Sequence, residues 1–206
     1  MLCHHRKRAA ALLSVAVLVL APAALAGEEE AEKKALATVE RLGGQVLRKE
    51  NKADTPVYSV TLLGKEVTDA DLKDLAGFKE LGWLTLNETA VTDAGLKEVA
   101  QFKALYALSV RGTKVTDAGL KEIARVKGLV YLNLGDTKVT DAGLKELAAQ
   151  KGLATLLLNS TGVTDDGVKE LAQLKGLTTL NLAETKLTDA GIEKLQKALP
   201  ECRITR

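Results

Sequence analysis

Histidine is confined to His4 and His5 and cysteine to Cys3 and Cys202 in a chain of 206 residues. Aromatics are almost as sparse, with one Trp, three Tyr and two Phe. What these scarcities exclude depends on the first residues. The chain opens MLCHHRKR, continues AAALLSVAVLVLAPAALA and turns acidic at GEEE. A basic start, an apolar run and the small-residue tripeptide Ala24-Leu25-Ala26 describe a secretory signal peptide over residues 1–26, cut after Ala26. Pro22 is expected to break the helix just ahead of that site. The run is also short and Ala-rich for a spanning helix. No Cys follows the small residues, so nothing supports a lipid anchor there. A membrane enters only if this segment stays uncleaved. The mature protein is therefore expected to be exported, periplasmic or secreted.

Removing the peptide takes Arg6, Lys7 and Arg8 and no acid, which leaves 26 basic residues against 27 acidic ones. The formal balance becomes −1 in place of +2. No basic footprint for nucleic acid survives. Both histidines leave as well, so no Ser-His-Asp or Cys-His pair can form, nor a zinc site of Cys and His. Cys202 alone cannot make an internal disulfide, and stability must come from packing. No cofactor is expected.

The string VTDAGLKEVA occupies residues 91–100, and near-copies begin at Val67, Val115, Val139, Val163 and Leu187, always 24 residues apart. The whole unit reads L-x-x-L-x-L-x-x-T-x-V-T-D-A-G-L-K-E-L-A-x-x-K-G. Its first half has the period of a strand: Leu84 and Leu86 face one side, and Trp83, Thr85 and Asn87 the other. Its second half has the period of a helix, with Leu96, Val99, Ala100 and Phe102 on one stripe, and about three turns are expected. Thr92 has the chemistry of an N-cap. Val91 and Leu96 have the spacing of a hydrophobic staple, and Asp93 would meet the positive end of the helix dipole. Gly128, Gly152 and Gly176 suit a left-handed residue past the helix end. Thr89, Thr113, Thr137, Thr161 and Thr185 form a column at the turn leaving each strand. Their hydroxyls are expected to satisfy buried backbone groups as an internal ladder, with Lys65 at the solvent-facing end.

This pattern resembles the leucine-rich repeat, and its period lies in that band. The VTDAGLKEL half is similar to the cysteine-containing subtype of F-box and ribonuclease-inhibitor-like proteins, in a small bacterial exported form. Thr stands where those families carry Asn or Cys. The resemblance covers residues 57–206 and implies an α/β solenoid of 24-residue strand-turn-helix units. Strands stack about 4.8 Å apart while helices need roughly 10 Å. The stack is therefore expected to bend into a right-handed arc with parallel strands on its concave face. Residues 27–56 read as a helical cap, with Ala31, Ala35, Val39 and Leu42 on its apolar stripe, a short strand near Val46-Leu47 and a turn at Asn51. The last repeat closes the other end, where Gln196 replaces the buried Ala of other helices. F-box proteins often serve as substrate receptors in ubiquitin ligation. With an export signal and no F-box segment before the repeats, that role does not carry over.

Function is expected on the strand positions that packing leaves free. Trp83 and Tyr131 fall in one outward column, Asn133 and Leu157 in a second, and Asn87 and Arg111 in a third. Aromatics and Arg anchor interfaces, so these six are the expected partner-binding residues. A lone surface Trp can also mean nothing. The Asp column at Asp69, Asp93, Asp117, Asp141, Asp165 and Asp189 cannot converge on calcium, which needs about six or more oxygens around one point. Glu88, Asp136 and Glu184 lie on different repeats, with no spacing suited to a carboxylate enzyme. The lysines from Lys79 to Lys175 are offset by nearby Glu. Cys202 reads as an inert thiol or a site of intermolecular pairing, and Gln150 as local loosening. The expectation is a non-enzymatic exported module that binds a protein through its concave face. Envelope polysaccharide binding or a structural spacer is the alternative.

Overall fold

The computed structural model describes residues 22–52 and 55–206. The first 21 residues, most of the expected signal peptide, lie outside them. Helix α1 (Pro22–Arg41) leads into strand β1 (Gln45–Arg48), and β2 (Val57–Thr61) opens the repeats. Strands β3 (Trp83–Thr85), β4 (Ala107–Ser109), β5 (Tyr131–Asn133), β6 (Thr155–Leu157), β7 (Thr179–Asn181) and β8 (Arg203–Thr205) follow. Between them lie α2 (Asp69–Asp74), α3 (Asp93–Val99), α4 (Asp117–Ile123), α5 (Asp141–Leu147), α6 (Val168–Leu171) and α7 (Asp189–Ala198). All eight strands form one sheet in chain order. β1 is antiparallel to β2, and every later pair is parallel with partners 24 residues apart, as in Trp83–Ala107 and Ala107–Tyr131. The 24-residue period is thus the sheet register, and the strands line the concave face of an α/β solenoid.

The core is a continuous column of repeat leucines. Leu84, Leu108, Leu132, Leu156 and Leu180 are fully buried from the strands, as are Leu96, Leu120 and Leu171 from the helices. The helices are shorter than expected: α3, α4 and α5 have seven residues each, about two turns. The chain leaves the helix at Ala100, Ala124, Ala148 and Ala172, which are half-buried, so Gln196 does not replace a fully buried Ala. Its amide instead donates to the carbonyls of Leu199, Pro200 and Cys202 beyond α7. Of the three glycines expected in the left-handed region, only Gly128 is there, at φ 96°, and it lies in the connection to the next strand. The helix expected to break at Pro22 lies in residues 1–21, outside the described residues. From Pro22 onward α1 runs through the expected cleavage site to Arg41.

The repeated string has a second mechanical meaning that the sequence did not show. Thr92, Thr116 and Thr140 are N-caps as expected, each hydroxyl accepting the N–H two residues on at 3.2–3.3 Å. The aspartate that follows, however, turns to the next repeat. Asp69, Asp93, Asp117, Asp141 and Asp165 each accept the backbone N–H of the next N-cap Thr at 2.8–2.9 Å. Their second oxygens accept that Thr hydroxyl at 2.6–2.7 Å. The glycine of the motif makes room for this clamp, since a Cβ on Gly143 would overlap Asp117 Oδ1. In T-D-A-G, Thr takes the clamp from the preceding repeat, Asp extends one to the following repeat, and Gly leaves space for the former.

The ends depart from the motif where a neighbour is missing. Asp71 stands at the glycine position of the first repeat, where no earlier clamp needs the space. It accepts the N–H and hydroxyl of Thr68, both at 2.8 Å, and the Arg41 guanidinium of α1 at 2.6 Å. At the other end Asp189 has no following Thr and pairs with Arg206. The turn threonines do not bond to one another as a ladder. Each donates to the carbonyl three residues earlier in its own turn, at 2.6–2.8 Å. Lys65 is exposed, as expected. Gln150 does not loosen its repeat: buried, it donates to the carbonyls of Ala124 at 3.1 Å and Val126 at 3.0 Å, the orphan acceptors past α4. Cys202 is 4% exposed. Burial pushes its thiol up, in keeping with the inert-thiol reading.

Candidate functional site

The short strands present their odd residues to the concave face, and the register fixes who meets whom. Trp83 and Tyr131 lie in one column, two strands apart, with Ala107 between them. Ala107 is small and fully buried, so the two rings lean together over it. Their centroids are 5.4 Å apart at an interplanar angle of 25°, within the range of offset stacking. Trp83 also meets Tyr106 edge to face, at 6.3 Å and 85°. Trp83 Nε1 donates to Thr85 Oγ1 at 3.0 Å, which fixes the indole from below.

Tyr106 was not among the expected site residues, although it is 42% exposed. It belongs to a column one residue ahead of Trp83's: Tyr58, Gly82, Tyr106, Val130. The signal was present in the sequence, because reading one more column would have found it. Gly82 is the reason Tyr106 can tilt, since a Cβ there would overlap the Tyr106 ring. Tyr58, Gly82, Ala104 and Tyr106 line an apolar cavity of about 360 Å³, with the Lys49–Glu80 ion pair at its mouth. Every Trp and Tyr of the chain therefore sits on one surface, the amino-terminal half of the concave face, whereas Phe78 and Phe102 are buried in the core.

The other expected residues are drawn into the scaffold. Asn87 Oδ1 accepts Ser109 Oγ at 2.6 Å and the Arg111 N–H at 3.2 Å. Asn133 is buried and accepts the Gly135 N–H at 3.0 Å. These two asparagines hold strand ends. Arg111 is exposed and pairs with Asp136, Nε to Oδ2 at 2.6 Å. Leu157 is half-buried, two strands beyond Ser109 in the Thr85 column. Trp83 and Tyr131 are thus brought together, Arg111 lies up the same face, and Leu157 stands apart.

The acids of this face do not converge. Glu88, Asp136 and Glu184 occupy one position of alternate turns at φ 55–58°, a left-handed conformation that costs roughly 1 kcal/mol each outside glycine. Asp136 is held by Arg111, and Glu184 accepts Ser160 Oγ at 2.8 Å. Among the described residues no group of three His, Cys, Asp or Glu is placed to hold a metal ion.

Fold and register define an α/β repeat solenoid. A leucine-rich-repeat family model matches residues 129–148 and 176–195, two of the repeats, and the fold is that of a leucine-rich-repeat solenoid. Similar solved structures include an internalin (inlF) from Listeria monocytogenes, at 22% identity and TM-score 0.54 over 65% of this chain. The chain spans 36% of that protein. A second is an internalin C2 (inlC2) from the same organism, at 18% identity and TM-score 0.51, covering 83% of this chain and 80% of its own. At these identities the likeness speaks for the fold alone. No curated protein matches the sequence.

Proposed function

We propose that this protein is a non-enzymatic module that binds a protein partner through its concave face, centred on Trp83, Tyr106 and Tyr131. One observation carries the reading. In a chain that is 3% aromatic, all of its Trp and Tyr residues share one half of one surface. Aromatic side chains supply large contact area for few frozen torsions and dominate interface hot spots. Exposed Leu47 and Val130 extend the patch. Arg111 with Asp136 forms its polar rim, Asn87 and Asn133 support it from the neighbouring columns, and Leu157 lies one strand beyond it. Repeats of this kind generally serve as binding modules, which agrees with a mature chain that has no imidazole for acid–base chemistry.

The N-terminal segment supports export with cleavage after Ala26, to the periplasm or beyond, and VTDAGLKEL supports the cysteine-containing repeat subtype. No described helix is long and apolar enough to cross a membrane. Cleavage would trim the first turn of α1 and leave the stripe from Ala31 to Val39 in place. An intact mass that starts at Gly27 in exported material would verify it; a retained Met1 would refute it.

The binding test is affinity capture from envelope and secreted extract with the parent and a Trp83→Ala/Tyr106→Ala form of equal thermal stability. A protein held by the parent and lost from the variant supports the reading. Equal retention by both refutes a concave aromatic site. Retained polysaccharide would favour the envelope-polymer alternative.

A further inference from the structure

The aromatic patch is unusual in what it withholds. Its main-chain donors are consumed by the sheet: the N–H groups of Gly82, Tyr106 and Val130 donate to Tyr58, Gly82 and Tyr106 carbonyls at 2.8–2.9 Å. The indole donor is held by Thr85, and Lys49 and Glu80 hold each other. Among the described residues the hydroxyls of Tyr58, Tyr106 and Tyr131 make no hydrogen bond, and no buried side-chain polar atom lacks a partner. Those phenols are therefore donors open to solvent. The patch thus offers ring faces and three phenolic hydroxyls, which donate and also accept, while the carbonyls of Tyr58, Gly82 and Tyr106 are already in use.

That balance selects among occupants. A sugar ring brings several hydroxyls, each of which loses water on docking and needs a partner. A strand cannot be added, because the donors and acceptors of this row are already paired. A polyproline II segment brings the reverse inventory, with flat apolar rings, carbonyls free to accept and no N–H at its prolines. Its repeat also fits. Three residues at about 3.1 Å rise repeat every ~9.3 Å, and aromatics two strands apart in one column are rooted about 9.6 Å apart. Tyr58 and Tyr106 have that relation through Gly82, whereas Trp83 and Tyr131, rooted equally far apart, stack at 5.4 Å and form a single platform.

Resting on the reading of the concave face as a protein-binding surface, we infer that its partner docks as a proline-rich, polyproline II segment laid across β2 to β5. Successive turns seat prolines against the perpendicular faces of Tyr106 and Trp83 and in the cavity between Tyr58 and Tyr106. The tyrosine hydroxyls donate to its carbonyls. This is the aromatic-groove mode of peptide recognition, built here on a repeat sheet.

Trp83 is the single tryptophan of the chain, so its fluorescence reports this site alone. The full chain would be titrated with a capped decaproline peptide, a capped Gly-Ser peptide of equal length and a chitin hexasaccharide. Decaproline is expected to shift Trp83 emission saturably, and Gly-Ser is expected to leave it unchanged. Tyr106→Ala should weaken decaproline binding about tenfold or more. Tyr58→Phe, which removes only a hydroxyl, should weaken it several-fold with the fold intact. No saturable shift with decaproline, or one produced equally by Gly-Ser, overturns the inference. A shift with the saccharide alone also overturns it and puts a glycan on the patch. If decaproline fails while extract capture still depends on Trp83 and Tyr106, only the proline assignment falls. If both fail, the concave-face reading falls with it.

Discussion

Replacing Asp117 with Ala would remove both arms of one inter-repeat clamp, and the size of the loss separates two explanations of the motif. If Asp117 acted only on the dipole of its own helix, its removal would cost roughly 0.3–1 kcal/mol. The structure gives it two charge-assisted bonds to the next repeat, to Thr140 N–H at 2.8 Å and Thr140 Oγ1 at 2.7 Å. Bonds of that type contribute roughly 1.5–3 kcal/mol each. The site is only part-buried, so water recovers some of the loss and the expected cost is about 2–3 kcal/mol. Asp117→Asn keeps the shape and an acceptor for the N–H and should cost about 1 kcal/mol. Thr140→Ala loses the cap, about 1 kcal/mol, together with the hydroxyl arm. The Asp117/Thr140 double-mutant cycle should then show coupling of about 1–2 kcal/mol. Guanidinium unfolding at neutral pH, followed by far-UV circular dichroism and by Trp83 fluorescence, measures all of this. Each helix packs chiefly on its sequence neighbours, so a weakened clamp between α4 and α5 should also part the two transitions. Asp117→Ala within about 0.5 kcal/mol of the parent would refute the clamp.

Acid should detach the N-terminal cap first. Asp74 is held low by its bond to Lys34, with Thr38 adding to it. Burial raises Asp71, and the bonds from Arg41 and Thr68 together outweigh it and bring it below the ordinary carboxylate value. A depressed folded pKa means that the unfolded form binds more protons as pH falls through about 4. The stability these groups give is present above that value and is lost below it. Amide exchange in α1 should rise between pH ~5 and ~3 before that of α4, and unchanged relative rates would contradict this. Gln150→Leu restores the apolar residue of other repeats yet should destabilise by about 1 kcal/mol, because the Ala124 and Val126 carbonyls lose their donor. A gain in melting temperature would reject that role.

Some of this protein was legible along the chain. The 24-residue period gave the number and order of the repeats and the parallel register. The β2 start at Val57, the short β1 and the N-cap threonines were all local patterns of hydroxyl and apolar spacing. What required the fold were the contacts between units, because sequence periodicity shows that repeats are alike and not how they touch. Asp93 looked like a charge for its own helix and proved to hold the next one, through a turn of side chain that no spacing encodes. Gln150 looked misplaced until the carbonyls of the preceding repeat surrounded it.

The site divides the same way. Trp83, Tyr131 and Arg111 were visible as outward residues of the strands. Asn87 and Asn133 shared that pattern, yet the Asn87 oxygen is occupied by Ser109 and Arg111 of the next strand and the Asn133 oxygen by Gly135 at the end of its own. Tyr106 joined the patch because Gly82 leaves room for its ring. A solenoid and the columns of its surface could be read along the chain, since period and capping chemistry are one-dimensional. The tertiary structure alone decided which columns converge and which side chains remain free, because parallel pairing brings residues 24 positions apart to about 4.8 Å and makes each repeat's environment out of the next.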